Sequence, residues 1–325
     1  MLISLLNFIL ITFMLTFSVS KESDYFYLIN KAEIAICDGQ LVDAYKYYNQ
    51  ANEIHQLFTR DLYNNWLLEV KLGKNLEGKK SLNVLLQTVD KNIFLINKRM
   101  KFVWEIPYWK NYRDSIQLII LEVDRLALEV EELMISDQAI RQGNLAYQND
   151  SINTLIKKVD SINLMKLITL YGKYSYPHDD SIGSNSPWGD LPGHIILIHN
   201  YQWRRDWMDK VLERKISEGK LDPRRFVPVN GRLNKYYASQ FLRITGNDTL
   251  AFMIKMDDIS LKSDIDSARA KFNLETTDEN RKKISFNLVN IEYAFYNQNE
   301  VPWIPEEIMP ELRPYVIELP AANGR

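Results

Sequence analysis

The sequence predicts a mainly α protein with one small β-hairpin, and three observations carry that expectation. Apolar residues recur at alternating spacings of four and three, from Ile116 through Ile120, Val123, Ala127 and Val130 to Met134, which is the period of one helix face. A weak internal echo of about 34 residues runs from Leu28 to Val89, the length expected of a helix pair. The period-two alternation of paired strands is clearest at Leu242/Ile244 and Leu250/Phe252/Ile254, on either side of Gly246-Asn247.

Length and composition set the frame for these elements. With 325 residues, 46% of them hydrophobic, the chain can bury a sizeable core, which excludes disorder throughout. Forty Lys and Arg face 42 Asp and Glu, so no whole-molecule field draws the protein to nucleic acid or an anionic membrane. The partner expected is another protein, with no nucleic acid. Residues 1–20 read as a signal peptide: an uncharged apolar run from Leu2 to Phe17, then Ser18-Val19-Ser20, then Lys21-Glu22. The expected location is periplasmic or extracellular, with no integral membrane span after cleavage. Because no Lys or Arg precedes the apolar run, an uncleaved N-terminal anchor remains the alternative. Cys37 is the one cysteine, so stability has to come from core packing without an internal disulfide.

Within the 34-residue echo, Gly39 recurs as Gly73. The stretch "GQLVDAYKYYNQA" resembles the second helix of a tetratricopeptide pair, with Ala44, Tyr48 and Ala51 at its small, aromatic and small positions. Small residues let two helices approach, and the aromatic fills the gap between them. Gly78, Leu82 and Leu85 stand at the same places in the next copy. An ordinary helical bundle with accidental spacing is the alternative, since two repeats are few. The connector "KRMKFVWEIPYWKNYRD", Lys98 to Asp114, interleaves aromatic and basic residues. Such a pattern can clamp single-stranded nucleic acid, but here the aromatics are expected to weld two helical units together.

The seam beginning near Ser115 extends in register to Asp137 and Arg141, placing an acid and a base four residues apart on the core-facing stripe. Either the amphipathic helix has ended and both are solvated, or they form a partly buried ion pair at a cavity rim. Asp150 is positioned to cap a second helix with Ile152, Ile156 and Val159 on its apolar face, running to Gly172. Residues 172–192 then form a long loop, of which residues 176–190 are expected to be a lid or rim over the following helix, anchored by Trp188; simple disorder is the alternative.

That following helix, from about Gly193 to Gly219 with Asp190 as cap, carries His199, Gln202 and Asp206 on one polar stripe. The stripe is either solvated or the wall of a wet cleft in which His199 carries protons near neutral pH. A metal site built from His178, Asp179, Asp180, His194 and His199 is not expected: His194 and His199 are five apart and off one helix face, and no cysteine completes a ligand set. No cofactor motif appears, whether Walker loop, dinucleotide glycines, nucleophile elbow or zinc-protease helix. "DPRRF" reads as a turn, residues 284–296 fit either helix or strand, and the Pro-punctuated end from Val301 reads as an extended arm.

The succession "DQAIR", "DSIN" at Asp150, "LYGKYSYP", "SIG", "ILIHN", "EGKLDP" and "GR" at Gly231-Arg232, with "DSARAKFNL" from Asp266, resembles a family of uncharacterised, mostly exported bacterial proteins. The resemblance covers about residues 135–280 and implies a mainly helical domain of unknown function. It implies polar positions at Asp137, Arg141, Asp150, Asn153, His199 and Arg232. Gly231 departs from the acidic residue expected before Arg232, and "SQFLRI" departs from the run expected near Gln240.

The organisation expected is therefore a signal peptide at 1–20, a tetratricopeptide-like segment at 21–113, a helical domain at 114–280 and a C-terminal extension at 281–325 packed on the body. The function expected first is an exported interaction or scaffold module, because helix-pair repeats present binding surfaces. The alternative is a hydrolase-like or small-ligand-binding enzyme. Its catalytic candidates are His199, Asp137 and Arg141, and its ligand-binding candidates are Asn153, Gln202, Asp206 and Arg232.

Overall fold

The computed structural model describes residues 24–89, 91–116, 125–141, 150–174, 193, 196–197, 199–200, 210, 214, 222–226, 241–244, 247–254, 259–270, 273–295, 303–304, 307 and 309–318. The fold is mainly helical. The chain divides into two compact units that cut across the linear order: one is Met1–Leu57, Leu67–Lys74 and Arg232–Arg325, the other Phe58–Trp66 and Asn75–Gly231.

The first unit opens with helix α1, residues 24–37, followed by α2, Leu41–Ile54. α1 stops because Gly39 takes a left-handed φ of 74°, which turns the chain and lets Gln40 N donate to Ala35 O and Gly39 N to Ile36 O. Thirty-four residues later Gly73, at φ 70°, ends α3, Thr59–Lys71, with the same two bonds, Lys74 N to Glu69 O and Gly73 N to Val70 O. α2 buries Ala44, Tyr48 and Ala51 completely, a stripe at spacings of four and three. Later in this unit come α11, Ile259–Ala270, and α12, Thr277–Val289. α12 starts at a full capping box, in which Thr276 Oγ1 accepts from Glu279 N and the Glu279 carboxylate accepts from Thr276 N. The helix resolves the ambiguity at residues 284–289, and Phe286 then stacks with Phe295 beyond its end.

Among the described residues of the first unit are four strands: β1 Phe241–Ile244, β2 Asn247–Ile254, β3 Trp303–Ile304 and β4 Val316–Glu318, in the order β3-β1-β2-β4. β1 and β2 are antiparallel with Leu242 opposite Phe252, and the register shifts between Arg243 and Ile244 so that Ile244 faces Asn247. β4 pairs antiparallel with β2 and β3 parallel with β1. The sequence suggested an extended arm for the region after Val301. Part of it instead supplies edge strands, because a two-stranded ribbon leaves both edges unpaired and is marginal alone.

In the second unit, Trp66 at 0% exposure is the centre of an aromatic cluster. Its ring lies 5.9 Å from Phe94, 6.2 Å from Trp104 and 5.8 Å from Trp109, the last edge-to-face. The connector's aromatics are therefore core. They are carried by α6, Lys101–Glu105, and α7, Pro107–Ser115, which Pro107 starts from the first helical position. α4, Asn75–Thr88, and α5, Lys91–Ile96, precede them. α4 buries Gly78, Leu82 and Leu85, the three residues 34 positions after the buried stripe of α2.

The seam near 116 differs from its expected course. Ile116 is the C-cap of α7, with an extended-side ψ of 90°, and the described helix is α8, Arg125–Ala139. α8 packs against α9, Asp150–Tyr174. Val130 and Leu133 of α8 and Leu164 and Leu167 of α9 are buried. "DPRRF" forms one turn of helix, α10 Pro223–Phe226, rather than a plain turn, because Asp222 Oδ1 accepts from Arg224 N at 2.8 Å and caps it. Among the described residues no helix is long and apolar enough to cross a membrane.

Candidate functional site

The site lies in the second unit, where the apolar seams of α8 and α9 turn polar. One turn beyond Leu133, α8 brings Asp137 onto its buried face at 0% exposure, and Arg141 follows four residues later. On α9 the same substitution of polar for apolar occurs at Asp160 and Asn163, exposed only 1% and 2%. The third contributor is a helical segment containing Ile196, Leu197, His199 and Asn200. Ile196 and Leu197 are buried, and the chain enters it through Gly193, whose φ is 84° and whose N–H faces Met134 Sδ at 3.2 Å.

Arg141 ties the two acids together. Its Nη1 donates to the Asp137 carbonyl at 2.6 Å and stands 3.3 Å from Asp137 Oδ2, while Nη2 meets Asp160 Oδ1 at 2.5 Å. His199 Nδ1 lies 2.7 Å from Asp137 Oδ2, which also accepts from Gln138 Nε2 at 2.9 Å. A carboxylate can only accept, so Nδ1 carries the ring proton and Nε2 is the basic atom of the neutral imidazole. Asn200, one residue on, donates from Nδ2 to both Asp160 O and Ile196 O, fixing the segment against α9. Asp137 Oδ1 is buried with no hydrogen-bond partner among the described residues.

The members are graded in burial. Both aspartates are sealed, the Arg141 side chain is 11% exposed, and that of His199 is 21% exposed. The imidazole is therefore the member that faces outward. With the imidazole neutral, two carboxylates and one guanidinium sum to −1. Asp137, Asp160 and His199 also offer three ligand atoms within 4.8 Å of one another. Two carboxylates and an imidazole are a plausible first-row metal set. Arg141, however, is bonded to both carboxylates, so the chain itself supplies the cation at that place.

Of the residues singled out by sequence, Asp137, Arg141 and His199 meet. Asn153 is half-buried on α9, two turns before Asp160 and so about 10 Å along the axis from the cluster. Gln202, Asp206, Arg232, His178, Asp179, Asp180, His194, Trp188 and the 176–190 lid lie outside the described residues, as does the helix start at Asp190. Sequence reasoning missed Asp160, although Ile156, Asp160, Asn163 and Leu167 continue one helix face and the polar pair interrupts it as Asp137 interrupts α8.

A second buried set in this unit was also missed. Arg224 of α10 holds Asp222 through Nε at 2.9 Å and Asp61 of α3 through Nη2 at 2.8 Å, with all three nearly solvent-free. Set against known protein families, curated proteins and solved structures, the chain finds no match in any of the three comparisons.

Proposed function

We propose that the second unit carries a small-ligand or hydrolase-like acid–base site in which His199 moves the proton and Asp137 holds its tautomer. The single observation behind this reading is the 2.7 Å contact between His199 Nδ1 and a carboxylate at 0% exposure. A buried acid that orients an outward imidazole is the base–orienter half of many proton-transfer sites. Arg141 and Asp160 are positioning residues here: they fix Asp137 from behind and hold α8 to α9. Three of the positions implied by the family resemblance, Asp137, Arg141 and His199, fall in this cluster. The test is two-part. Nitrogen NMR of the imidazole should report the Nδ1–H tautomer, lost in Asp137→Asn, and a panel of chromogenic esters, phosphoesters and glycosides should show turnover abolished by His199→Ala. An Nε2–H tautomer in the wild type, or turnover indifferent to His199, overturns the reading.

A second reading concerns the helix pairs: an exported tetratricopeptide-like module that binds another protein. It is favoured by the 34-residue recurrence of the two turns, and by Val42 on α2, which is 69% exposed. Crosslinking in the periplasm should capture a partner with the wild type and lose it with Val42→Glu; equal capture by both removes the module reading.

A further inference from the structure

The second unit also contains a cleft of about 610 Å³, remote in sequence from the His199 cluster, that runs along the end of α5, a short 3-10 turn and α6. Its wall and floor are apolar: Leu95, Ile96, which is 82% exposed, and Trp104, which is 6% exposed. Its edge is basic, with Lys98, Lys101 and Arg113 against the single carboxylate of Glu105. The backbone there is fixed, since Asn97 caps the 3-10 turn by accepting from Arg99 N at 2.9 Å.

The ion pairs of Lys101 and Arg113 are long and solvent-exposed. Lys101 approaches Glu105 only to 3.9 Å, with both side chains mostly exposed, a contact that water and salt screen. Arg113 lies 5.9 Å over the Trp104 ring, extending the charged edge onto the apolar floor, and its nearest acid, Asp114, is at 3.5 Å. The volume falls in the range of small-molecule sites, and an apolar floor with convergent charge at one edge is their usual chemistry. A nucleic acid would need an open ring in the cleft on which bases stack, but Trp104, the ring that lines it, is 6% exposed.

We propose that this cleft binds a single-tailed amphiphilic anion, its acidic head at Lys98, Lys101 and Arg113 and its apolar body along Ile96 and Trp104. The source favoured is a monomeric organic acid, because the cleft, though open, gathers its cations beside one strongly exposed aliphatic side chain, Ile96, rather than a broad apolar face.

Isothermal titration of the full chain with decanoate, held below its micellar concentration, tests this. Saturable one-to-one binding is expected. It should weaken about tenfold in Lys98→Glu/Lys101→Glu, and decanol, the same tail without charge, should bind about tenfold more weakly than decanoate. Ile96→Asp should weaken decanoate binding as well, and circular dichroism should show both variants folded as the wild type is. Equal binding of decanol, indifference to both variants, no saturable binding up to about 1 mM, or binding to anionic vesicles alone each overturns the proposal.

Discussion

Asp137 depends on Arg141 at the scale of a single side chain, because a sealed carboxylate with one oxygen lacking a hydrogen bond tolerates no further loss of partners. Removing one member of a buried ionic set leaves an uncompensated charge, so Arg141→Ala should lower unfolding free energy by about 3–5 kcal/mol in urea titration. The same variant frees two carboxylates and an imidazole. Zn²⁺ or Mn²⁺ should therefore raise the Tm of Arg141→Ala and leave the wild type unmoved; a wild-type shift of equal size would show that the guanidinium does not fill the cation's place. Cys37 offers a second residue-level expectation. Burial first, and then the neighbouring Glu33 carboxylate, push its thiol up to about 12. The thiolate is therefore scarce at pH 8, and native protein should react with a disulfide reagent more slowly than urea-unfolded protein.

Elements are held by their ends as much as by their faces. Gly39 and Gly73 sit at positive φ with open space where a Cβ would go, so substitution meets no clash and only backbone strain. Gly39→Ala and Gly73→Ala should each cost about 1–2 kcal/mol in denaturant unfolding, and Gly→Asn less, because Asn tolerates the left-handed region. Equal costs for Ala and Asn would mean the turns are not stabilised through that conformation. These turns were legible in the sequence because glycine recurs at a fixed interval, and the interior of α2 was legible because Ala44, Tyr48 and Ala51 repeat at helical spacing. Asp137 and Arg141 were visible for a related reason: a charge in register with an apolar seam has to be explained. The polar start of α3 was not, since Thr59, Arg60, Asp61, Asn64 and Asn65 carry no apolar signal and yet are all buried. For Asp61 the justification lies far off in the chain. Arg224, 163 residues away, is a partner of Asp61 that no local pattern announces.

Across the whole chain, the first unit is joined through a closed ionic set that draws α1 to the α11–α12 region. Lys283 Nζ lies 2.5 Å from Glu33 and 3.7 Å from Glu275, while Arg269 lies 3.2 Å from Glu275, and all four are nearly solvent-free. Burial alone would raise the Glu275 carboxyl. Lys283 and Arg269, with a hydrogen bond from Asn280, outweigh it and hold the group at about 2, against its ordinary 4.5. The folded state thus binds fewer protons than the unfolded chain between those values. The contribution of Glu275 is complete above about pH 4.5 and is lost as pH falls toward 2, an effect on the order of 3 kcal/mol. Acid titration of Glu275→Gln should show a shallower decline over that window than the wild type, and parallel curves would place the acid sensitivity elsewhere.

The link between Lys283 and Glu33 spans 250 residues, and that separation has a temporal meaning on the ribosome. Synthesis at about 5–20 residues per second puts more than ten seconds between the emergence of α1 and the arrival of its counter-ion. During that interval Glu33 has no Lys283, and α1 and α2 have not met the later segments of their own unit. The second unit's long continuous stretch, from Asn75 to Gly231, is translated in between. The order of completion is accordingly the reverse of the order of emergence: the residues made first are among the last to reach their final surroundings. A nascent chain halted near residue 240 should leave α1 open to protease while protecting the Trp66 cluster, and release of the full chain should close both.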